Sequence, residues 1–153
     1  MRYFAYGATL DPAQALPVTG GQAAVLDDWE LSLSVPSTEW GGAVGTIEPR
    51  PGSVVYGVLF HVPDELDDDI RVREGMSRGH TREFPVEARI YVGADSAQAT
   101  LRLELASAFA AVPARVSITP PAPSARWLAA VVAGGRAHGL PEDWLRQLER
   151  RQP

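Results

Sequence analysis

The chain has 153 residues, 45% of them hydrophobic and 22% charged, which suits one globular domain with a sizeable core. Its net charge of −5 and the lack of a basic cluster beyond Arg150-Arg151 argue against nucleic acid, and its apolar runs are too short to span a bilayer. There is no cysteine and all 14 basic residues are arginine, which excludes disulfides, thiolate nucleophiles, zinc–thiolate sites, Schiff bases and a P-loop lysine.

The first element is Tyr3-Phe4-Ala5-Tyr6-Gly7-Ala8-Thr9-Leu10. Its aromatic half has the character of a buried strand, and Gly7 breaks it into small residues. A strand entering such a turn points several backbone N–H groups one way, a means of holding a carboxylate or an oxyanion. A plainer reading is that Gly7 only ends a strand. Asp11-Pro12, Leu16-Pro17 and Gly20-Gly21 then keep the connection irregular. Strand pattern resumes from Ala23, with Leu31, Leu33 and Val35 alternating with Ser32 and Ser34. A loop from Pro36 to Gly42 leads to a second short strand, Ala43 to Ile47, and Pro51-Gly52 signals a turn. Val54 to Val62 is a nearly continuous apolar strand, with a bend or bulge expected at Gly57.

A helix start is predicted at Pro63-Asp64-Glu65-Leu66, with Leu66 and Ile70 on one face and a stop at Gly75. Phe84, Val86, Ala88, Ile90 and Val92 alternate with polar residues as a half-buried strand. Leu101, Leu103 and Leu105 alternate with Arg102 and Glu104 in another. Pro113 to Pro123 is a surface crossing. Ser124 caps a helix with Trp127, Leu128, Val131 and Val132 on one side, interrupted or ended at Gly134-Gly135. A last helix follows Gly139-Leu140-Pro141, acidic early and basic late, with Trp144, Leu145 and Leu148 as its buried stripe. Strands and helices are mixed rather than alternating, so the class is α+β, with about six or seven strands and three helices.

His61, His80 and His138 are scattered without metal-site spacing, and neither a Gly-x-Ser-x-Gly elbow nor a dinucleotide fingerprint occurs. No metal is expected. The chemistry left to such a chain lies in carboxylates, backbone amides and hydroxyls. The start has no signal-peptide core, so the expected location is cytoplasmic.

Glu74 is the carboxylate out of place. It falls at a helix C-terminus, where an acid is disfavoured by ~0.3–1 kcal/mol. Burial would raise its pKa further, as a general base near neutral pH requires. Arg71 or Arg73 could instead hold it in a plain ion pair.

Tyr6-Gly7-Ala8-Thr9, Arg71-Val72-Arg73-Glu74-Gly75, Pro123-Ser124-Ala125-Arg126-Trp127 and Gly139-Leu140-Pro141 occur in that order along nearly the whole chain. Together with Gly42 to Pro49 and Val54 to Leu59 they resemble the gamma-glutamylcyclotransferase family. That family carries a Tyr-Gly-Ser-Asn loop, an Asp-x-x-Glu-Gly segment, a Pro-Ser-x-x-Tyr helix and a Gly-Leu-Pro turn. The resemblance implies a small mixed β-barrel flanked by helices, acting without a cofactor on a small γ-glutamyl or related carboxylate ligand. It implies that Glu74 is the acid/base in the cyclisation of a γ-glutamyl amine or peptide to 5-oxoproline. It places substrate against Tyr6, Gly7, Ala8, Thr9, Leu10 and Trp127. The chain departs from the pattern at Ala8-Thr9 for Ser-Asn, at Arg71 for aspartate and at Trp127 for tyrosine. A tyrosine expected after Glu-Gly is absent, with His80 and Thr81 in its place. These changes point to an altered substrate or to a second reading, a non-catalytic module of the same fold that binds a small carboxylate metabolite.

Overall fold

The computed structural model describes residues 1–11, 18–91 and 102–152. Pro12, Leu16-Pro17, Val92 and Leu101, on which some sequence expectations fall, lie outside them. Five strands close into a barrel: β1 (Arg2–Ala5), β2 (Thr19–Ser37), β3 (Gly42–His61), β4 (Thr81–Ile90) and β5 (Leu103–Ala111). Their order around the barrel is β1-β3-β2-β4-β5. Neighbours are antiparallel except β1 and β5, which run parallel at Tyr3 and Ser107. Phe4, Leu26, Val55, Leu59 and Ala108 are fully buried inside, in keeping with the inward alternation of short apolar strands.

Among the described residues the strand count is five rather than six or seven because β2 and β3 form one long hairpin. Pro51-Gly52 looks like a break, yet the ladder holds Asp27 opposite Val54 and resumes with Trp29 opposite Pro49. The extra residues 50–53 bulge out opposite Asp28, which has φ 62° and accepts a 2.9 Å hydrogen bond from the Gly52 amide. The prolines sit on this exposed stretch, where a missing donor costs little. Gly57 makes no bend either. It stays paired with Ala24, and a Cβ there would lie 2.4 Å from the Ala5 carbonyl oxygen and 2.6 Å from the Phe4 ring, so it admits β1.

β5 also differs from its pattern. Leu103 and Leu105 point outward, 55% and 68% exposed, and burial begins only at Ala106. Glu104 instead is drawn back onto the barrel by Arg2, with Arg102 at 2.6 Å. Charge pairing thus overrides the leucine alternation.

Three helices pack outside: α1 (Asp67–Arg73), α2 (Ala125–Ala137) and α3 (Glu142–Glu149). A 3₁₀ turn, Asp64–Leu66, precedes α1. Ser124 caps α2 by accepting the Trp127 amide at 3.1 Å, and its hydroxyl donates to the Trp40 carbonyl at 2.6 Å. The Pro113 to Pro123 crossing is tied down where Ser117 donates to Ser34 and Ala43 to Ala122. α2 is not interrupted at Gly134-Gly135. A Cβ on Gly134 would come within 2.0 Å of Leu10, and one on Gly135 within 2.6 Å of Leu145. The glycines let the helix pass over the turn Ala8–Leu10 on one side and α3 on the other.

Candidate active site

One end of the barrel opens into a cavity of about 610 Å³. Its wall includes both sequence candidates, Glu74 and the turn after β1. α1 brings Glu74 there: Ile70 is buried against the barrel, and Glu74, four residues on, follows it on the same face. The Glu74 amide still donates to Ile70 O at 2.9 Å, and Gly75 then reverses the chain at φ 83°. A side chain is strained in that left-handed region, so glycine is what stops the helix at Glu74. Thr81 on β4 fixes the corner by donating its hydroxyl to the Glu74 carbonyl at 2.9 Å.

The Glu74 side chain is not in the surface ion pair that its sequence position allows with Arg71. Arg71 turns away, at 2.8 Å from Glu83 on β4 and 3.0 Å from Asp68. Glu74 accepts a hydrogen bond from the hydroxyl of Tyr3. Tyr3 itself is clamped between Phe60 and Phe109, at ring distances of 6.3 and 5.9 Å. Burial raises the Glu74 carboxyl above its ordinary range, opposed by the Tyr3 hydroxyl and by the charge of Arg73. Tyr3 is pushed well above the usual tyrosine range, by burial first and then by Glu74. The hydroxyl is therefore a fixed donor while the carboxylate keeps a second oxygen for other partners.

The turn after β1 is a single 3₁₀ turn, Ala8–Leu10, in which Leu10 donates to Gly7 and Asp11 to Ala8. Ala8 and Thr9 begin that turn, where amides have no acceptor within the helix. The Thr9 hydroxyl lies 3.2 Å from the Tyr3 hydroxyl. A continuous chain, Thr9 to Tyr3 to Glu74, thus joins the turn to the carboxylate. Tyr6 lines the cavity with its ring, since its hydroxyl donates to the Phe109 carbonyl at 2.5 Å. Trp127 lines it too. Its indole fills a slot between Gly7, where a Cβ would lie 3.4 Å away, and Gly45, where a Cβ would lie 2.5 Å away. Leu10 is placed elsewhere: it is fully buried beneath α2 and does not line the cavity, so its part is to anchor the turn.

Residues 54–148, more than half of the chain, match the model of the AIG2-like family. The chain belongs to that family. The barrel of this AIG2-like protein also resembles solved structures. One, named gamma-glutamyl cyclotransferase, is 20% identical with a TM-score of 0.84, covering 99% of this chain and 88% of the other. An uncharacterized protein from Homo sapiens is 21% identical with a TM-score of 0.82 over the same shares of the two chains. A gamma-glutamyl cyclotransferase specific to glutathione from yeast is 13% identical with a TM-score of 0.59, covering 99% and 86%. At these identities the likeness is one of fold. No curated protein matches the chain.

Tyr3 is the site residue that the sequence reading missed. It sits in an apolar run and fits the pattern of a core strand, which it also is. The signal for its second role is chemical: a buried tyrosine hydroxyl needs a partner, and Glu74 supplies it. Arg73, Arg78, His80 and Arg115 also line the cavity, from α1 and two turns far apart in the chain. Among the described residues no cluster of His, Asp and Glu fit to hold a metal ion occurs.

Proposed function

We propose that the cavity cyclises a γ-glutamyl amine or peptide to 5-oxoproline, with Glu74 as general base and acid. The observation that carries this reading is the chain Thr9 to Tyr3 to Glu74, which ties a desolvated carboxylate to the turn after β1 in one hollow. The α-amine of the γ-glutamyl group gives a proton to Glu74 and attacks the γ-carbonyl carbon of the same group. A tetrahedral oxyanion forms, with the Ala8 and Thr9 amides as its donors. The amide C–N bond then breaks, and Glu74 returns its proton to the departing amine. No side-chain nucleophile is required. The reaction is already intramolecular, so the protein supplies a folded rotamer, a base and oxyanion donors.

The carboxylate needs a pKa high enough to take a proton, and burial provides it. It must also keep one orientation, and the Tyr3 hydroxyl provides that. The loss of the Ser-Asn pair removes side chains from the turn and leaves its amides in place. The test is to incubate the purified protein with a panel of γ-glutamyl amines and peptides and to measure 5-oxoproline. Release of 5-oxoproline with at least one member supports the reading. Tight binding of panel members, seen as a thermal shift, with no turnover would replace it by the carboxylate-binding module.

A further inference from the structure

Glu74 meets the Tyr3 hydroxyl only while α1 keeps one position on the barrel. Arg71, next to the buried Ile70, reaches from α1 across to β4. There its Nε lies 2.8 Å and its Nη2 3.4 Å from the two carboxylate oxygens of Glu83. Its Nη1 turns back to Asp68 at 3.0 Å on the same helix. A guanidinium that engages both oxygens of a carboxylate fixes direction as well as distance. The two side chains are 33% and 21% exposed, against 51% and 47% for the surface pair Arg136–Glu142, so water and salt screen this pair less. Glu83 is held below the ordinary carboxylate range by Arg71 first, against the opposing effect of burial, with Ser107 as a further hydrogen-bond partner.

The surroundings of Glu83 connect this pair to the site. In the β4–β5 ladder Glu83 stands opposite Phe109, whose ring packs edge-on against Tyr3 at 5.9 Å. Ser107 is also the residue at which β5 pairs with β1, opposite Tyr3. Tyr3 and Glu83 therefore stand on one short stretch of the closed barrel, while Arg71 and Glu74 share the last turn of α1. Thr81, two residues before Glu83 on β4, donates its hydroxyl to the Glu74 carbonyl at 2.9 Å. That turn is thus tied to β4 at both ends, and the bond from Tyr3 to Glu74 crosses the same gap. An aspartate at position 71, as in the family pattern, could form no such pair with Glu83. We infer that Arg71, held by Glu83, is a positioning residue that sets α1 so that Glu74 meets the Tyr3 hydroxyl. Its consequence for turnover rests on the cyclotransferase reading; the positioning itself is a property of the fold. A displacement of about 1 Å can cost a reaction about 100-fold, and a tether that Thr81 partly backs up should be worth about tenfold.

The experiment removes the pair without changing the net charge, in Arg71→Gln/Glu83→Gln protein. With a γ-glutamyl compound that the wild type cyclises, kcat should fall about tenfold while KM stays within about twofold. Arg71→Lys, which keeps the charge and loses the fork, should lose less, and it serves for the same comparisons if the double variant does not fold. The acid limb of kcat/KM against pH should move to higher pH, because Glu74 with a weakened donor holds its proton more tightly. Tyr3→Phe should move it the same way, and adding the glutamine pair to Tyr3→Phe should move it no further. The other charged and titratable groups facing Glu74 across the cavity (Tyr6, Glu39, Arg73, Arg78, His80 and Arg115) are the same in every protein compared. A second readout needs no substrate: the Tyr3→Phe penalty in urea unfolding at about pH 4 and about pH 8, measured with and without the glutamine pair. The additional penalty at the higher pH, where Glu74 is ionised, should shrink when the pair is absent. An additional penalty of equal size in both backgrounds would overturn the inference. So would a double variant that loses stability while its kcat and acid limb hold, since the pair would then only brace the fold. If the wild type turns over no γ-glutamyl compound, the cyclotransferase reading falls, and the urea comparison alone decides the positioning.

Discussion

Replacing Tyr3 by phenylalanine removes one hydroxyl and leaves the ring between Phe60 and Phe109. The buried carboxylate of Glu74 then loses its side-chain donor. A hydrogen bond to a charged group contributes about 1.5–3 kcal/mol, and the part-buried setting of this bond sets the expectation at the low end. Without that donor the Glu74 carboxyl should rise further above a value burial has already raised. Because its folded pKa lies above the ordinary one, native Glu74 holds its proton more tightly than the unfolded chain does. The cost of ionising it in the fold is therefore absent below the ordinary carboxyl range and grows as pH rises through the folded pKa. The Tyr3→Phe penalty should follow the same course. Urea unfolding of wild type and variant at about pH 4 and about pH 8 should show a gap larger by roughly 1.5 kcal/mol at the higher pH. The contact with Thr9 is lost at both pH values and cancels in the comparison. An equal penalty at both would show that the hydroxyl does not serve the ionised carboxylate.

Three further outcomes are expected. Glu74→Gln should raise stability near pH 8, where the native carboxylate is ionised at a cost, and the gain should vanish in acid; differential scanning calorimetry across pH checks the crossover. Gly134→Ala places a methyl about 2.0 Å from Leu10 C, so overpacking of about 1–3 kcal/mol should exceed the helix-propensity gain of about 1 kcal/mol and lower Tm. A higher Tm would mean that α2 does not press on the turn. Trp127→Ala empties the slot between Gly7 and Gly45 and should cost about 3–5 kcal/mol in urea unfolding, with loss of any ligand-induced thermal shift.

Local chemistry made half of the site legible. An acid at a helix end followed by glycine, and a glycine turn after an aromatic strand, are both visible one segment at a time. The two become one site only through the barrel closure that sets β1 beside β5 and α1 over the same mouth, and no local pattern reports it. Tyr3 was hidden for a related reason: one residue both fills the core with its ring and serves the site with its hydroxyl. The rim arginines were hidden because Arg78 and Arg115 meet from turns on either side of β4 and β5. In the fold, glycine and proline misled most. Pro51-Gly52 punctuates a bulge within a continuous ladder, and Gly134-Gly135 marks close approach inside a helix. Composition distinguishes neither from a true end. At Leu103 and Leu105 the alternation was real, but the pairing of Arg2 with Glu104 decided which face turned inward.

The most direct measurement is paired, on Glu74→Gln protein: calorimetric affinity for a γ-glutamyl compound that the wild type cyclises, and single-turnover release of 5-oxoproline from it. Affinity within a few-fold of wild type, with release slowed by about 10²–10⁴, is the expected result for a residue that moves the proton. Release at the wild-type rate would contradict it, and the base would have to be sought elsewhere in the cavity.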